Sequence, residues 1–192
     1  MIDYLTEQRN LNITTVPYNQ CKTPFRISVE LEKSRGNLEC LIAGSDVIFV
    51  SKQFAVSRGY STMEIAVKAI LERPDCAFSA IVICAWGEKG ATGGFRTITD
   101  DQNNVFSTQE EYKIFNEIQV VHVPACPPPT EVVDTLGAGD TFYAGVLYKL
   151  RRSREKDIAK MLYECLIFGS RIAGFKCGYR GLKCFDKFGK DC

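Results

Sequence analysis

Apolar runs of strand length recur along this 192-residue chain, and segments with helical periodicity alternate with them. Residues 46–50 and 78–85 are almost continuously apolar, which is typical of strands buried on both faces of a parallel sheet. Residues 25–31 alternate apolar and polar side chains and predict a further strand, and residues 117–123 regain strand character. The pattern predicts an α/β fold with a mainly parallel sheet.

Capping signals mark the starts of two of the helices that separate these strands. Ser51 offers an N-cap hydroxyl for a short helix after the first buried strand. Ser61 and Glu64 match a capping box and predict a helix that runs as far as Pro74. Periodicity predicts the remaining helices at residues 1–9, 34–43, 140–150 and 155–176.

Two segments lack helical periodicity. Residues 91–117 are polar and contain Gly93 and Gly94, so we predict a hairpin or a surface excursion there. Residues 127–129 are three consecutive prolines, which form a stiff extended spacer and cannot be helical. This spacer leads directly into a glycine-rich turn.

Composition narrows the class of protein. Hydrophobic residues make up 45% of the chain, and 24 basic side chains against 23 acidic ones give a net charge of +1. This balance predicts neither a nucleic-acid partner nor a membrane surface. No apolar run reaches the roughly 18 residues that span a bilayer, and the first nine residues lack the apolar segment of a signal peptide.

Nine cysteines occur without any Cys-x-x-Cys spacing, and His122 is the single histidine. This pattern argues against a zinc site. Cys76, Cys84 and Cys165 lie in apolar segments, where a free thiol behaves as a small hydrophobic side chain. We therefore predict a reduced, cytoplasmic protein.

Gly137, Ala138, Gly139 and Asp140 lie between an extended segment and a predicted helix. The glycines allow a sharp turn and let backbone N–H groups approach a ligand closely. The start of the helix adds unpaired N–H donors and the positive end of its dipole, so the turn predicts a site for a phosphoryl group.

Asp140 has two interpretations at this helix start. Aspartate is among the best N-caps, so the carboxylate could serve only to begin the helix. Alternatively, it accepts the proton of a substrate hydroxyl that attacks a phosphorus atom. A four-residue Gly-x-Gly-Asp pattern alone favours the capping interpretation.

The longer string Asp134-Thr-Leu-Gly-Ala-Gly-Asp-Thr-Phe142 resembles the signature of the ribokinase-like (PfkB) carbohydrate kinases. Similarity to the fructose-phosphorylating members of that family extends to further segments, namely Ser28–Lys33, Asp46–Lys52, Val82–Gly90, the prolines at 127–129 and Ala173–Gly178. The resemblance implies a three-layer ribokinase-like fold, with residues 1–192 forming part of one such domain.

The resemblance also implies site residues. Asp140 would be the general base, and Gly137, Ala138 and Gly139 would form the anion hole. The nucleotide would contact Gly87, Glu88, Lys89, Gly90 and Cys177, and Asp134 and Thr135 would help to hold a metal ion. ATP with Mg²⁺, and K⁺ as a further candidate, would be the cofactors. Two plainer interpretations stay open: the glycines at 87 and 90 make a hairpin turn, and Cys177 is a buried thiol.

Two features depart from the family pattern. Sugar-gripping Asp and Gly-Gly-Asn motifs and the β lid, which in full-length members pairs subunits into a homodimer, are expected before the segment that Met1 resembles and are not found here. Tyr143 is bulky where the family pattern has a small polar residue. We therefore expect the nucleotide-binding two-thirds of the fold without the lid.

Two hypotheses about function follow. One is an ATP-dependent kinase that phosphorylates the primary 1-hydroxyl of fructose, with a sugar and ATP as its only partners. The other is a catalytically impaired nucleotide-binding remnant or regulatory isoform of such a kinase. A dehydrogenase is a poor third candidate, because no Gly-x-Gly-x-x-Gly follows the first strand.

Overall fold

Five strands form one sheet in the computed structural model, which describes residues 26–33, 36–99 and 115–182. The strands pair in chain order: β1 (Ser28–Leu31), β2 (Val47–Ser51), β3 (Ile81–Ala85), β4 (Ala91–Thr99) and β5 (Phe115–Val123). The predicted helix at residues 1–9 lies outside the described residues.

Four of the five strands run in the same direction. The β1–β2 and β2–β3 pairs are parallel, whereas β4 is antiparallel to both β3 and β5. Strand β4 is therefore the single reversed strand of an otherwise parallel sheet, and it forms a hairpin with each of its neighbours. This confirms the predicted α/β class with a mainly parallel sheet.

Helices cover both faces of the sheet. They are α1 (Lys52–Ser57), α2 (Met63–Leu71), α3 (Ala138–Arg152) and α4 (Ile158–Cys177). Helices α1 and α2 pack on one face and α3 and α4 on the other, which makes three layers. Residues 38–41, where a short helix was predicted, form a single 3₁₀ turn. Within the described ranges, no helix is long and apolar enough to cross a membrane.

The two central strands explain the continuous apolar runs. Successive side chains of a strand point to opposite faces, so Ile48 and Val82 pack into the α2 layer while Phe49 and Ile83 pack into the α3–α4 layer. All four side chains are buried. Each strand therefore contributes to two hydrophobic cores at once.

Within the segment 91–117, where a hairpin or a surface excursion was predicted, residues 91–99 form β4 and pair antiparallel with β5, so the hairpin is confirmed. A Cβ atom on Gly93 would lie 3.0 Å from Leu162 of α4, and one on Gly94 would lie 2.5 Å from Val67 of α2. The two glycines thus allow helices on both faces to approach this strand closely. Residues 100–114 lie outside the described range.

The start of α1 matches its predicted N-cap, whereas α2 begins one residue later than predicted. The Ser51 hydroxyl accepts a hydrogen bond from the backbone N–H of Phe54, at 3.0 Å, as predicted. The N-cap of α2 is Thr62 rather than Ser61, because the Thr62 hydroxyl accepts from Ile65 N–H at 3.1 Å. Glu64 instead pairs with Lys68 on the exposed face, so the capping box is not formed.

Candidate active site

The glycine-rich turn begins α3 at the end of the extended segment. Gly137 is the N-cap residue and has a φ of 75°, which strains any residue other than glycine. Ala138 N–H donates to Thr135 O at 3.1 Å, so this N–H is occupied within the turn. Among the described residues, the N–H groups of Gly139 and Asp140 have no acceptor. These two donors are available to an anion at the positive end of the helix dipole.

Asp140 lies in the first turn of α3 and is exposed. Its carboxylate does not cap the helix, because the N-cap is Gly137 and no side chain makes a capping hydrogen bond there. The capping interpretation of Asp140 is therefore wrong. The start of α3 thus presents an exposed carboxylate beside two unpaired N–H groups, and the role of Asp140 as a general base stays a prediction.

Glu30 and Tyr143 interact close to Asp140. Burial raises the pKa of Glu30, and repulsion from Glu32 and Asp140 raises it further. Tyr143 packs on Phe49 with ring centroids 4.4 Å apart, and burial raises the pKa of its hydroxyl. The bulky Tyr143 side chain is thus half-buried and packs against the core under α3 and α4, beside the predicted base.

A cleft of about 710 Å³ lies between the carboxyl end of β3, the proline segment, the start of α3 and the end of α4. Most of its walls are small or apolar, which suits a flat aromatic ring. Its lining includes these predicted site residues: Gly87, Glu88, Gly90, Thr135, Ala138, Gly139 and Cys177. The cleft thus brings residues of four separate segments together.

Residues 87–90 form the turn of the β3–β4 hairpin and also line the cleft. Gly87–Lys89 is a 3₁₀ turn closed by a hydrogen bond from Trp86 N–H to Gly90 O at 2.9 Å. A Cβ on Gly90 would lie 2.1 Å from Val123 O, and its φ of 85° favours glycine. The turn interpretation of these glycines is confirmed, and their contact with a nucleotide stays a prediction for a turn that faces the cleft.

Lys89 is absent from the lining of the cleft, unlike its neighbours Glu88 and Gly90. Its ammonium lies over the buried indole ring of Trp86, 5.6 Å from the ring centroid. Lys52 lies over the same indole at 5.9 Å and pairs with Glu88 at 3.6 Å. Two cations therefore share one indole at the rim of the cleft.

Asp134 holds the end of the extended segment against α4. Its carboxylate accepts from the N–H groups of Leu136 and Gly181 and contacts the fully buried ammonium of Lys176 at 3.1 Å. These backbone hydrogen bonds, with the contact to Lys176, lower the pKa of Asp134 to about 2. The described residues contain no cluster of three His, Cys, Asp or Glu side chains that could hold a metal. The metal assignment of Asp134 and Thr135 stays a prediction.

Cys177 ends α4 and lines the cleft with a half-buried side chain. Its carbonyl accepts from Val133 N–H at 2.8 Å and from Asp134 N–H at 3.2 Å. Burial raises the pKa of its thiol, so the thiol stays protonated at neutral pH. The residue is therefore both a partly buried thiol and a wall of the cleft.

Ser170 and Gly174, on one side of α4, also line the cleft and were missed by sequence reasoning. The Ser170 hydroxyl donates to Pro124 O at 3.0 Å and accepts from Cys126 N–H at 2.9 Å. A Cβ on Gly174 would lie 2.1 Å from Cys126 O. Small residues four positions apart in an apolar helix are the signal that could have indicated this close approach.

Comparison with known proteins agrees with this geometry. Residues 109–186 match the model of the pfkB family carbohydrate kinases. The chain is 35% identical to ketohexokinase from Mus musculus over 156 residues, which are 81% of this chain and 43% of the mouse protein. Over most of its length the chain is therefore similar to the pfkB family carbohydrate kinases.

Solved structures show the same fold. Aminoimidazole riboside kinase from Salmonella enterica, complexed with aminoimidazole riboside and an ATP analog, superposes with a TM-score of 0.57 at 21% identity, over 92% of this chain and 51% of that one. Ribokinase from Cryptococcus neoformans, in complex with ADP, gives a TM-score of 0.54 at 16% identity, over 92% and 52%. The chain spans about half the length of these relatives.

Proposed function

We propose that this chain forms part of one ribokinase-like domain that transfers the γ-phosphoryl group of ATP to the primary 1-hydroxyl of fructose. Asp140 is the general base in this proposal, and the turn at Gly137–Gly139 provides the anion hole. The match to the pfkB family model supports the kinase class, and the similarity to mouse ketohexokinase supports the choice of sugar.

The observation that carries the proposal is the cleft. It joins the hairpin turn at Gly87–Gly90 and Cys177 to the start of α3, where Gly139 supplies a free N–H. A nucleotide whose base lies between the proline segment and α4 would direct its phosphates toward that helix start. The relatives solved with an ATP analog and with ADP share this fold.

In the proposed reaction, the exposed carboxylate of Asp140 accepts the proton of the attacking hydroxyl. The N–H groups of Gly139 and Asp140 stabilise the charge on the phosphoryl oxygens as the group is transferred. ATP supplies the phosphoryl group, and Mg²⁺ would neutralise charge on the phosphates. Positioning and electrostatic stabilisation are the main requirements of this chemistry, so no covalent intermediate is invoked.

A second candidate is a protein that binds nucleotide in this cleft without turnover. It is favoured by the composition of the cleft, whose described lining contains predicted nucleotide contacts and no residue predicted to grip a sugar. This candidate and the kinase make the same prediction for ADP binding and differ only in catalysis.

Titration calorimetry with ADP, followed by a coupled assay with ATP and fructose, tests the proposal. Wild type should bind ADP and turn over fructose. Asp140→Asn should bind ADP normally and lose about 10²- to 10⁴-fold in kcat, because the base is removed while the cleft is kept. ADP binding without turnover would support the second candidate. A folded wild type that binds no ADP would contradict both.

A further inference from the structure

The cleft needs positive charge that its own lining does not supply. Of the described residues that line it, Glu88 is the only one with a charged side chain, and that charge is negative. A nucleoside di- or triphosphate carries two to four negative charges in the same space. The N–H groups at the start of α3 offset part of this repulsion, but they carry only about half an elementary charge. Cationic side chains at the rim of the cleft would offset more of this repulsion.

The pairing of β2 with β3 helps to place two lysine side chains at the rim of the cleft. Strands β2 and β3 are parallel neighbours, with Ser51 paired to Ala85 at their carboxyl ends. Lys52 and Trp86 follow these two residues, so the lysine lies beside the indole at the edge of the sheet where ligands of open α/β folds bind. Lys89 reaches the same indole from the hairpin turn, with the two ammonium groups 5.9 and 5.6 Å from the ring centroid.

The indole holds both lysines near the cleft. Trp86 is 6% exposed, and its neighbours Ala85 and Gly87 both line the cleft. An ammonium over an aromatic face is attracted by the ring without being neutralised, so its charge remains available to a ligand. Lys52 is also 3.6 Å from Glu88, and both side chains are about half exposed or more, which makes that ion pair weak and easily exchanged.

We propose that Lys52 and Lys89 together bind the phosphates of the nucleotide, and that Lys52 leaves Glu88 for a phosphate oxygen when the nucleotide enters. This inference rests on the proposed function, because it assigns the phosphate contacts of the same cleft. The alternative is that the two lysines are solvated side chains that merely cover the indole. The two accounts differ in whether the lysines distinguish a nucleotide from a nucleoside.

Calorimetric affinities for ADP and for adenosine separate the two accounts. The test variant is Lys52→Gln/Lys89→Gln, which removes both charges and keeps most of each stem over Trp86. The matched control is Lys68→Gln/Lys149→Gln. This control loses the same net charge at an exposed pair on α2 and at a pair near the far end of α3.

The test variant should bind ADP about tenfold more weakly, from two exposed charge contacts, and should bind adenosine as wild type does. Its ADP affinity should also fall less than that of wild type when KCl is raised, because screening acts on the lost contacts. The control should bind both ligands as wild type does. Lys52→Arg should retain ADP affinity, and Glu88→Gln should increase it by releasing Lys52.

Two results would overturn the inference while leaving the proposed function intact. One is a test variant that binds ADP as tightly as wild type does. The other is an equal loss for ADP and adenosine, which would indicate a disturbed cleft. A wild type that binds neither ligand would overturn the proposed function and the inference with it. Thermal melts of wild type and of each variant establish that every protein compared is folded.

Discussion

Three side chains meet where β1 approaches the start of α3. Glu30 and Tyr143 interact, and Asp140 lies close enough to repel Glu30. Tyr143 occupies space in the core that a small polar residue would leave open, and its ring contacts Phe49. The half-buried Tyr143 side chain therefore links the first strand of the sheet to the helix that carries the predicted base.

Glu30→Gln should change how stability depends on pH. The pKa of Glu30 is raised by burial, so its ionised form is disfavoured in the folded protein and its contribution to stability is lost as pH rises through that pKa. The variant should therefore gain stability relative to wild type as pH is raised from the ordinary glutamate pKa of 4.5 toward neutral. Urea unfolding across this range measures the difference, with exposed Glu64→Gln as the control. A difference that does not change with pH would contradict this assignment.

Asp134→Asn should lower the melting temperature at neutral pH, because it leaves the buried ammonium of Lys176 without a charged partner. The pKa of Asp134 is lowered to about 2, so the stabilisation is present above the ordinary pKa near 3.8 and is lost as pH falls toward 2. Melting curves between pH 7 and 2 should converge for the variant and wild type at the acid end. Glu131→Gln, on the same exposed segment, should follow wild type throughout.

At the scale of elements, α3 and α4 pack together through glycines. A Cβ on Gly169 would lie 2.7 Å from Val146 and 2.9 Å from the carbonyl oxygen of Phe142. One on Gly145 would lie 2.2 Å from Ile172. Since Phe142 also lines the cleft, the spacing of these two helices sets the width of the candidate site.

Gly169→Ala should destabilise the protein by about 1–3 kcal/mol, the usual cost of overpacking a core. Alanine gains up to about 1 kcal/mol in helix propensity, but the contact includes a backbone oxygen that cannot rotate away. Chemical denaturation measures the difference. Gly36→Ala is the control, because a Cβ there would meet no atom within 4 Å. A stabilised Gly169→Ala would show that the helices separate freely.

The contrast between β3 and β4 shows how far the sequence predicts the fold. Strand β3 was predicted because its side chains are apolar on both faces. Strand β4 was not predicted as such, since Gly93 and Gly94 resemble turn residues and only the packed helices show why a side chain is excluded there. Likewise, the sequence predicted the glycine turn at Gly137. It could not predict the positions of Ser170 and Lys52, because these depend on contacts between distant segments.

At the scale of the whole molecule, the sheet separates two hydrophobic cores. One lies under α1 and α2, and the other lies under α3 and α4. The cleft opens only among elements of the second side and the carboxyl end of β3. A ligand in the cleft would therefore join the proline segment, α3 and α4 directly, and would reach α2 only through the sheet.

Hydrogen exchange with and without ADP tests whether the ligand binds only on the α3–α4 side of the sheet. At 100 times its Kd, a ligand stabilises the folded state by about 2.7 kcal/mol, and amides that exchange by global unfolding all report that gain. At short labelling times exchange occurs by local opening, so protection should concentrate in residues 85–90, 125–128, 135–142 and 170–177. Amides of α2 should be unchanged on this timescale. Equal short-time protection of α2 and the cleft segments would contradict a ligand site confined to this side of the sheet.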